Sequence, residues 1–150
     1  MVLMLMSAQP ALGQQPGWHF SPLPGEGDRA STGCASDSTP EDFTCLAVRC
    51  EEDFSTGIHI YASRPEGVEG QWELTLDRET RSLAVIAAQP YGGRFEDEDG
   101  WLMDGLRHGT FVYLRHADDA DGAFAHISIA GYFRAIEEAL QWCAPRVPRD

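Results

Sequence analysis

From residue 43 onward, apolar and polar positions alternate in short runs divided by turn residues, the pattern of antiparallel strands joined by hairpins. Phe43–Cys50 alternates loosely and ends at Glu51-Glu52-Asp53. Ile58-His59-Ile60-Tyr61-Ala62 is a second strand, followed by a turn at Arg64-Pro65-Glu66-Gly67 and Gly70. In Gln71–Asp77 the alternation is clean, and Trp72, Leu74 and Leu76 share one face. Asp77-Arg78-Glu79-Thr80 is a polar hairpin loop leading into Ser82–Ala88, which is rich in Val and Ile. Residues 90–100 read as an acidic loop, and Trp101–Arg107 as a short helix stopped by Gly109. Thr110–Arg115 and Phe124–Ala130 form a second hairpin around Ala117–Gly122. The period then changes. Phe133, Ile136, Leu140 and Cys143 recur at helical spacing within Tyr132–Cys143, with Pro145 and Pro148 beyond.

The connections are too short for crossover helices, so the strands pair antiparallel. The expected fold is mainly β (α+β): an antiparallel sheet or β-sandwich of about six strands, with a short helix and a C-terminal helix packed on it. One β-rich domain spans 43–144, and 145–150 is a tail. Residues 16–42 are rich in Pro, Gly, Ser, Thr and Asp, and Pro22, Pro24, Gly25 and Gly27 break regular structure, so this segment is expected to be irregular. Trp18 and Phe20 either dock as an edge segment or belong to a loose N-terminus.

Residues 1–15 bear on compartment. Val2-Leu3-Met4-Leu5-Met6 is apolar, and Ala11 and Gly13 are small residues two apart, as a signal peptidase site requires. With no basic start and a short apolar run, this reads as a partial signal peptide, the alternative being the N-terminus of a cytosolic protein. Ser31-Thr32-Gly33 before Cys34 has the outline of a lipobox, but nothing apolar precedes it. No later stretch reaches the ~18 apolar residues of a membrane span.

The cysteines are Cys34, Cys45, Cys50 and Cys143, an even number with no C-x-x-C pair. In an oxidising compartment they are expected to form disulfides. Along one strand Cys45 and Cys50 lie about 16 Å apart at ~3.3 Å per residue, against the ~7 Å a disulfide tolerates, so these two do not pair. Cys50 shares the more apolar face with Leu46 and Val48, and Cys143 lies on the apolar stripe of the last helix. That favours Cys50–Cys143 with Cys34–Cys45, over Cys34–Cys50 with Cys45–Cys143. Closing the long loop stabilises by about 4 kcal/mol on the chain-entropy model.

Charge narrows the partners. Acidic residues number 24 against 11 basic ones, a formal net charge of −13, and every basic residue is arginine. Such a surface repels phosphate backbones and anionic lipid, which argues against nucleic acid and membrane partners.

Candidate chemistry is sparse. Asp118-Asp119-Ala120-Asp121-Gly122 looks like a calcium loop, but with Gly122 at position six, Ala117 falls at the first ligand and Ser128 at the twelfth. Glu96-Asp97-Glu98-Asp99-Gly100 fails in the same way, with Phe95 and Leu106 at those positions. Of His19, His59, His108, His116 and His126, the pair His116 and His126 flanks the second hairpin, and zinc would need further ligands converging there. The G-x-S-x-G elbow, S-x-x-K, phosphate loop and G-x-G-x-x-G are all absent. Trp72, Trp101, Trp142, Tyr61 and Phe111 are either core or the lining of a ligand groove. No catalytic, cofactor or metal residue is assigned.

One resemblance concerns the ending. Leu102-Met103-Asp104-Gly105-Leu106-Arg107-His108-Gly109, a hairpin, and Ala125-His126-Ile127-Ser128-Ile129-Ala130-Gly131-Tyr132-Phe133-Arg134-Ala135-Ile136 run in order across residues 101–143. This resembles small periplasmic proteins of alphaproteobacteria, the invasion-associated locus B proteins being the best-known example. The resemblance implies export and a β-rich fold with a packed terminal helix. It carries over no catalytic residue.

The expected function is therefore an exported, periplasmic, non-catalytic binding or interaction module whose partner is a protein or envelope component. The alternatives are a hydrolase or metal-dependent enzyme on an unfamiliar β scaffold, and an accessory subunit of a secretion system.

Overall fold

The computed structural model describes residues 17–21 (backbone), 30–130, 133–141 and 143. The chain order is β1 (Gly17–Ser21), β2 (Ala30–Cys34), β3 (Thr44–Cys50), β4 (Thr56–Ala62), β5 (Gly70–Leu76), β6 (Glu79–Ala87), β7 (Gly93–Phe95), α1 (Trp101–His108), β8 (Phe111–His116), β9 (Ala125–Ser128) and α2 (Phe133–Leu140). The strands form one antiparallel sheet in the order β1-β2-β3-β4-β7-β6-β5-β8-β9.

The sheet thus has nine strands among the described residues, not about six. Two of the extra strands, β1 and β2, lie in the segment expected to be irregular, and β7 lies in the acidic loop. The sequence of β2, Ala-Ser-Thr-Gly-Cys, carries no period-2 signal, yet all five residues are buried. In β7, only three residues long, just Arg94 is exposed between buried Gly93 and Phe95. The sheet curls nearly into a barrel: Ser36, just past β2, donates its N–H to the His126 carbonyl of β9 at 3.2 Å.

Alternation decides what fills the interior. Leu46 and Val48 of β3, Trp72, Leu74 and Leu76 of β5, and Val112 and Leu114 of β8 point to one core with Leu102 and Leu106 of α1 and Ile136 and Leu140 of α2. Burying each such side chain contributes about 1.5–3 kcal/mol. Gly105 lets α1 lie flat on β5, since a Cβ there would meet the Leu76 side chain. The first turn of α1 is closed by Asp97, whose two carboxylate oxygens accept the N–H groups of Leu102 (2.8 Å) and Met103 (2.9 Å).

The thiols are paired Cys34–Cys45 and Cys50–Cys143, with Cα separations of 4.0 and 5.4 Å. Cys34 and Cys45 are direct cross-strand neighbours, and Cys50–Cys143 ties the end of β3 to the chain just past α2. Tyr132 and Trp142 lie outside the described residues, and α2 ends at Leu140, short of the expected Cys143. No helix of the described residues is long and apolar enough to cross a membrane.

Candidate functional site

Three groups of side chains stand outside the core. The first lies on the opposite face of β3 and β4 from Leu46. Strand register sets Ala47 opposite His59, and Arg49 opposite Gly57. Arg49 and His59 are each 1 % exposed. His59 Nδ1 is 2.9 Å from the Tyr91 carbonyl, and its Nε2 meets the Glu51 carboxylate. Arg49 reaches the other Glu51 oxygen at 3.7 Å and lies with its guanidinium carbon 3.6 Å from the centre of the Tyr91 ring. Burial alone would raise the Glu51 pKa. The hydrogen bond from His59 and the positive charges of His59, Arg49 and Arg94 outweigh it, so the carboxyl is held below its ordinary value. Both ring nitrogens of His59 are thus engaged within the fold. Gly57 makes the arrangement possible, because a Cβ there would occupy the place of the Glu51 carboxylate.

His116 is saturated in a different way. Its Nδ1 accepts the Asp118 N–H at 3.0 Å, which requires that nitrogen to be unprotonated, and its Nε2 donates to the Glu69 carbonyl at 2.8 Å. The ring stands edge-on to Trp72. Register places His116 opposite Trp72, on the core face, and His126 opposite Tyr113, on the outer face. The two histidines flanking the hairpin therefore point to opposite sides of the sheet and do not converge. His108 sits exposed at the end of α1, and only the backbone of His19 is described.

The second group comprises the acidic loops, where carboxylates hold the fold together. Asp119 accepts two bonds from Arg64, at 2.6 and 3.1 Å, tying the loop after β4 to a 3-10 turn at Ala117–Asp119. Asp99 accepts from Arg81 at 2.7 Å and from the Trp101 N–H at 3.3 Å. Arg81 in turn lies over the Trp101 ring. The calcium-loop lookalikes are thus an ion-paired turn and a helix cap.

The third group is the outer face of β8 and β9. Phe111 and Tyr113 are 37 % and 39 % exposed, and each ring centre is 4.8 Å from that of His126 between them. Arg115 lies 4.1 Å over the Phe124 ring, donates to the carbonyls of Ala120 and Gly122, and pairs with Glu73 at 3.3 Å. Strand alternation alone creates this face: Val112 and Leu114 turn inward, so Phe111, Tyr113 and Arg115 turn outward.

Of the five aromatics singled out in the sequence, the four among the described residues do not share a groove. Trp72 is core, with its indole N–H donating to the Val68 carbonyl, and Tyr61 packs against buried Ala30 and Ala47. Phe111 belongs to the outer face, and Trp101 to the start of α1. Tyr113, Phe124 and His126 were not singled out as a group. For Tyr113 the signal was available in the alternation of Phe111-Val112-Tyr113-Leu114.

Comparison with protein-family models, curated proteins and solved structures finds no match to this chain.

Proposed function

We propose that this protein is an exported, periplasmic binding module without chemistry of its own, which contacts a protein or envelope component through the outer face of β8 and β9. The carrying observation is the exposed pair Phe111 and Tyr113 packed on the half-buried His126 ring, with Arg115 and Phe124 beside it. Aromatic residues and arginine are the types enriched at interface centres, because they bring large rigid area at small entropic cost. Two disulfides support export to an oxidising compartment, as does the resemblance of residues 101–143 to small periplasmic proteins. The non-catalytic reading rests on His59 and His116, whose ring nitrogens are all engaged within the fold.

The test is a pull-down from a periplasmic extract of the native organism with the wild-type chain and with Phe111→Ala/Tyr113→Ala. A binding partner retained by the wild type and lost from the double variant is the expected outcome. Equal retention by a double variant that unfolds at the wild-type midpoint removes this face from consideration.

A further inference from the structure

The β3–β4 hairpin offers a phenylalanine to solvent from a backbone conformation that disfavours one. Phe54 is 75 % exposed, more than any other large apolar side chain among the described residues, the next being Phe133 at 47 %. Its φ is +66°, in the left-handed region where a Cβ crowds the carbonyl. Elsewhere this chain meets that requirement with glycine, at Gly67, Gly70, Gly92 and Gly100, or with the short polar Asp77. A glycine at 54 would be easier on the backbone and on the solvent. The fold nevertheless holds the turn firmly. The Glu51 N–H donates to Ser55 and the Phe54 N–H to Glu51, both through backbone carbonyls. The Ser55 N–H donates to Asp53, and Glu51 is locked to His59 on β4. At the base, Cys50 is bonded to Cys143.

We propose that Phe54 is an anchor residue that inserts into an apolar pocket of a protein partner whose rim carries lysine or arginine. A ring left 75 % exposed buries little surface in the fold, and it does not turn the chain cheaply. Held rigidly, it loses little conformational freedom on docking. The collar fixes the chemistry of the acceptor: Glu52 and Asp53 precede Phe54, both exposed, on a chain of formal net charge −13. Such a tip is repelled by anionic lipid and attracted to a cationic rim. The anchor is separate from the β8–β9 face and does not depend on it.

The experiment places benzoylphenylalanine at position 54 of the full chain, irradiates it in an envelope extract of the native organism, and uses the same substitution at Arg78, on another hairpin, as control. The protein cross-linked at 54 is then purified and titrated with variants. Phe54→Ala is expected to weaken binding at least about tenfold, as hot-spot truncation does. Phe54→Trp should retain most of it, and Glu52→Lys/Asp53→Lys should weaken it in low salt. Phe54→Gly should lose binding while its unfolding midpoint rises or stays level. The proposal is overturned by a cross-link at 54 no stronger than the control, or by a partner that binds Phe54→Ala within about twofold of wild type. A lowered midpoint for Phe54→Gly overturns it too, since the ring would then be structural. So does Phe54-dependent sedimentation with vesicles of phosphatidylethanolamine and phosphatidylglycerol, which would assign the tip to lipid.

Discussion

Cys50, the last residue of β3, is bonded to Cys143 across 93 residues of sequence, and α2 is thereby pinned over the start of the sheet. Cys34 and Cys45 close a separation of only 11 residues between strands that already pair. Loop-closure entropy ranks the two bonds.

Cys50→Ser/Cys143→Ser should lower stability by about 4 kcal/mol, and Cys34→Ser/Cys45→Ser by about 3 kcal/mol. Urea unfolding of the two double variants, followed by tryptophan fluorescence, checks the order. Equal losses would show that native packing, not the length of the closed loop, sets the contribution.

Glu51 makes stability depend on pH in the acid range. Its carboxyl is held below the ordinary value of 4.5 in the fold, despite burial, by His59, Arg49 and Arg94. A carboxyl lowered in this way adds stability above its unfolded-state pKa and loses it as pH falls through the folded-state pKa. Glu51→Gln should therefore flatten the loss of stability below about pH 4.5. Unfolding midpoints measured from pH 7 to pH 3 give the comparison, and identical acid limbs would contradict the assignment.

Gly57→Ala tests the same cluster from the other strand. The added methyl takes the place of the Glu51 carboxylate, so the contact with His59 is lost and buried Arg49 and His59 lose their shared anion. The expected cost is about 3 kcal/mol, the usual result of breaking a buried ion pair. In the Glu51→Ala background the same substitution should cost much less, and a double-mutant cycle reads the difference.

Tyr113→Ala and Leu114→Ala separate surface from core at adjacent positions. Leu114 is 1 % exposed and its truncation should cost about 3 kcal/mol. Tyr113 faces outward at 39 % exposure, and its truncation should stay within about 1 kcal/mol. Thermal unfolding of the pair checks this, and a large loss at Tyr113 would make the aromatic trio a structural feature.

Where apolar residues alternated or recurred at helical spacing, the fold was legible in the chain. Trp72, Leu74 and Leu76 share the core face as their spacing implies, and Ile136 and Leu140 are buried on α2. Strand β2 was not legible, because Ala-Ser-Thr-Gly-Cys is buried along its whole length and its small residues leave no hydrophobic period. The polar cluster was hidden for the opposite reason. Arg49 and His59 alternate with the core residues of their strands and so fall on the face away from the core, yet they are among the most completely buried side chains. Their contacts join a strand, a hairpin tip and the loop at Tyr91, a long-range coincidence that no local pattern encodes.

In order along the chain, the two cystines are nearest neighbours: first with second, third with fourth. A chain delivered N-terminus first to an oxidant that joins thiols as they arrive would reach this pairing without reshuffling. On such a route Cys34–Cys45 would close first, and Cys50 would wait for the 93 residues that separate it from Cys143.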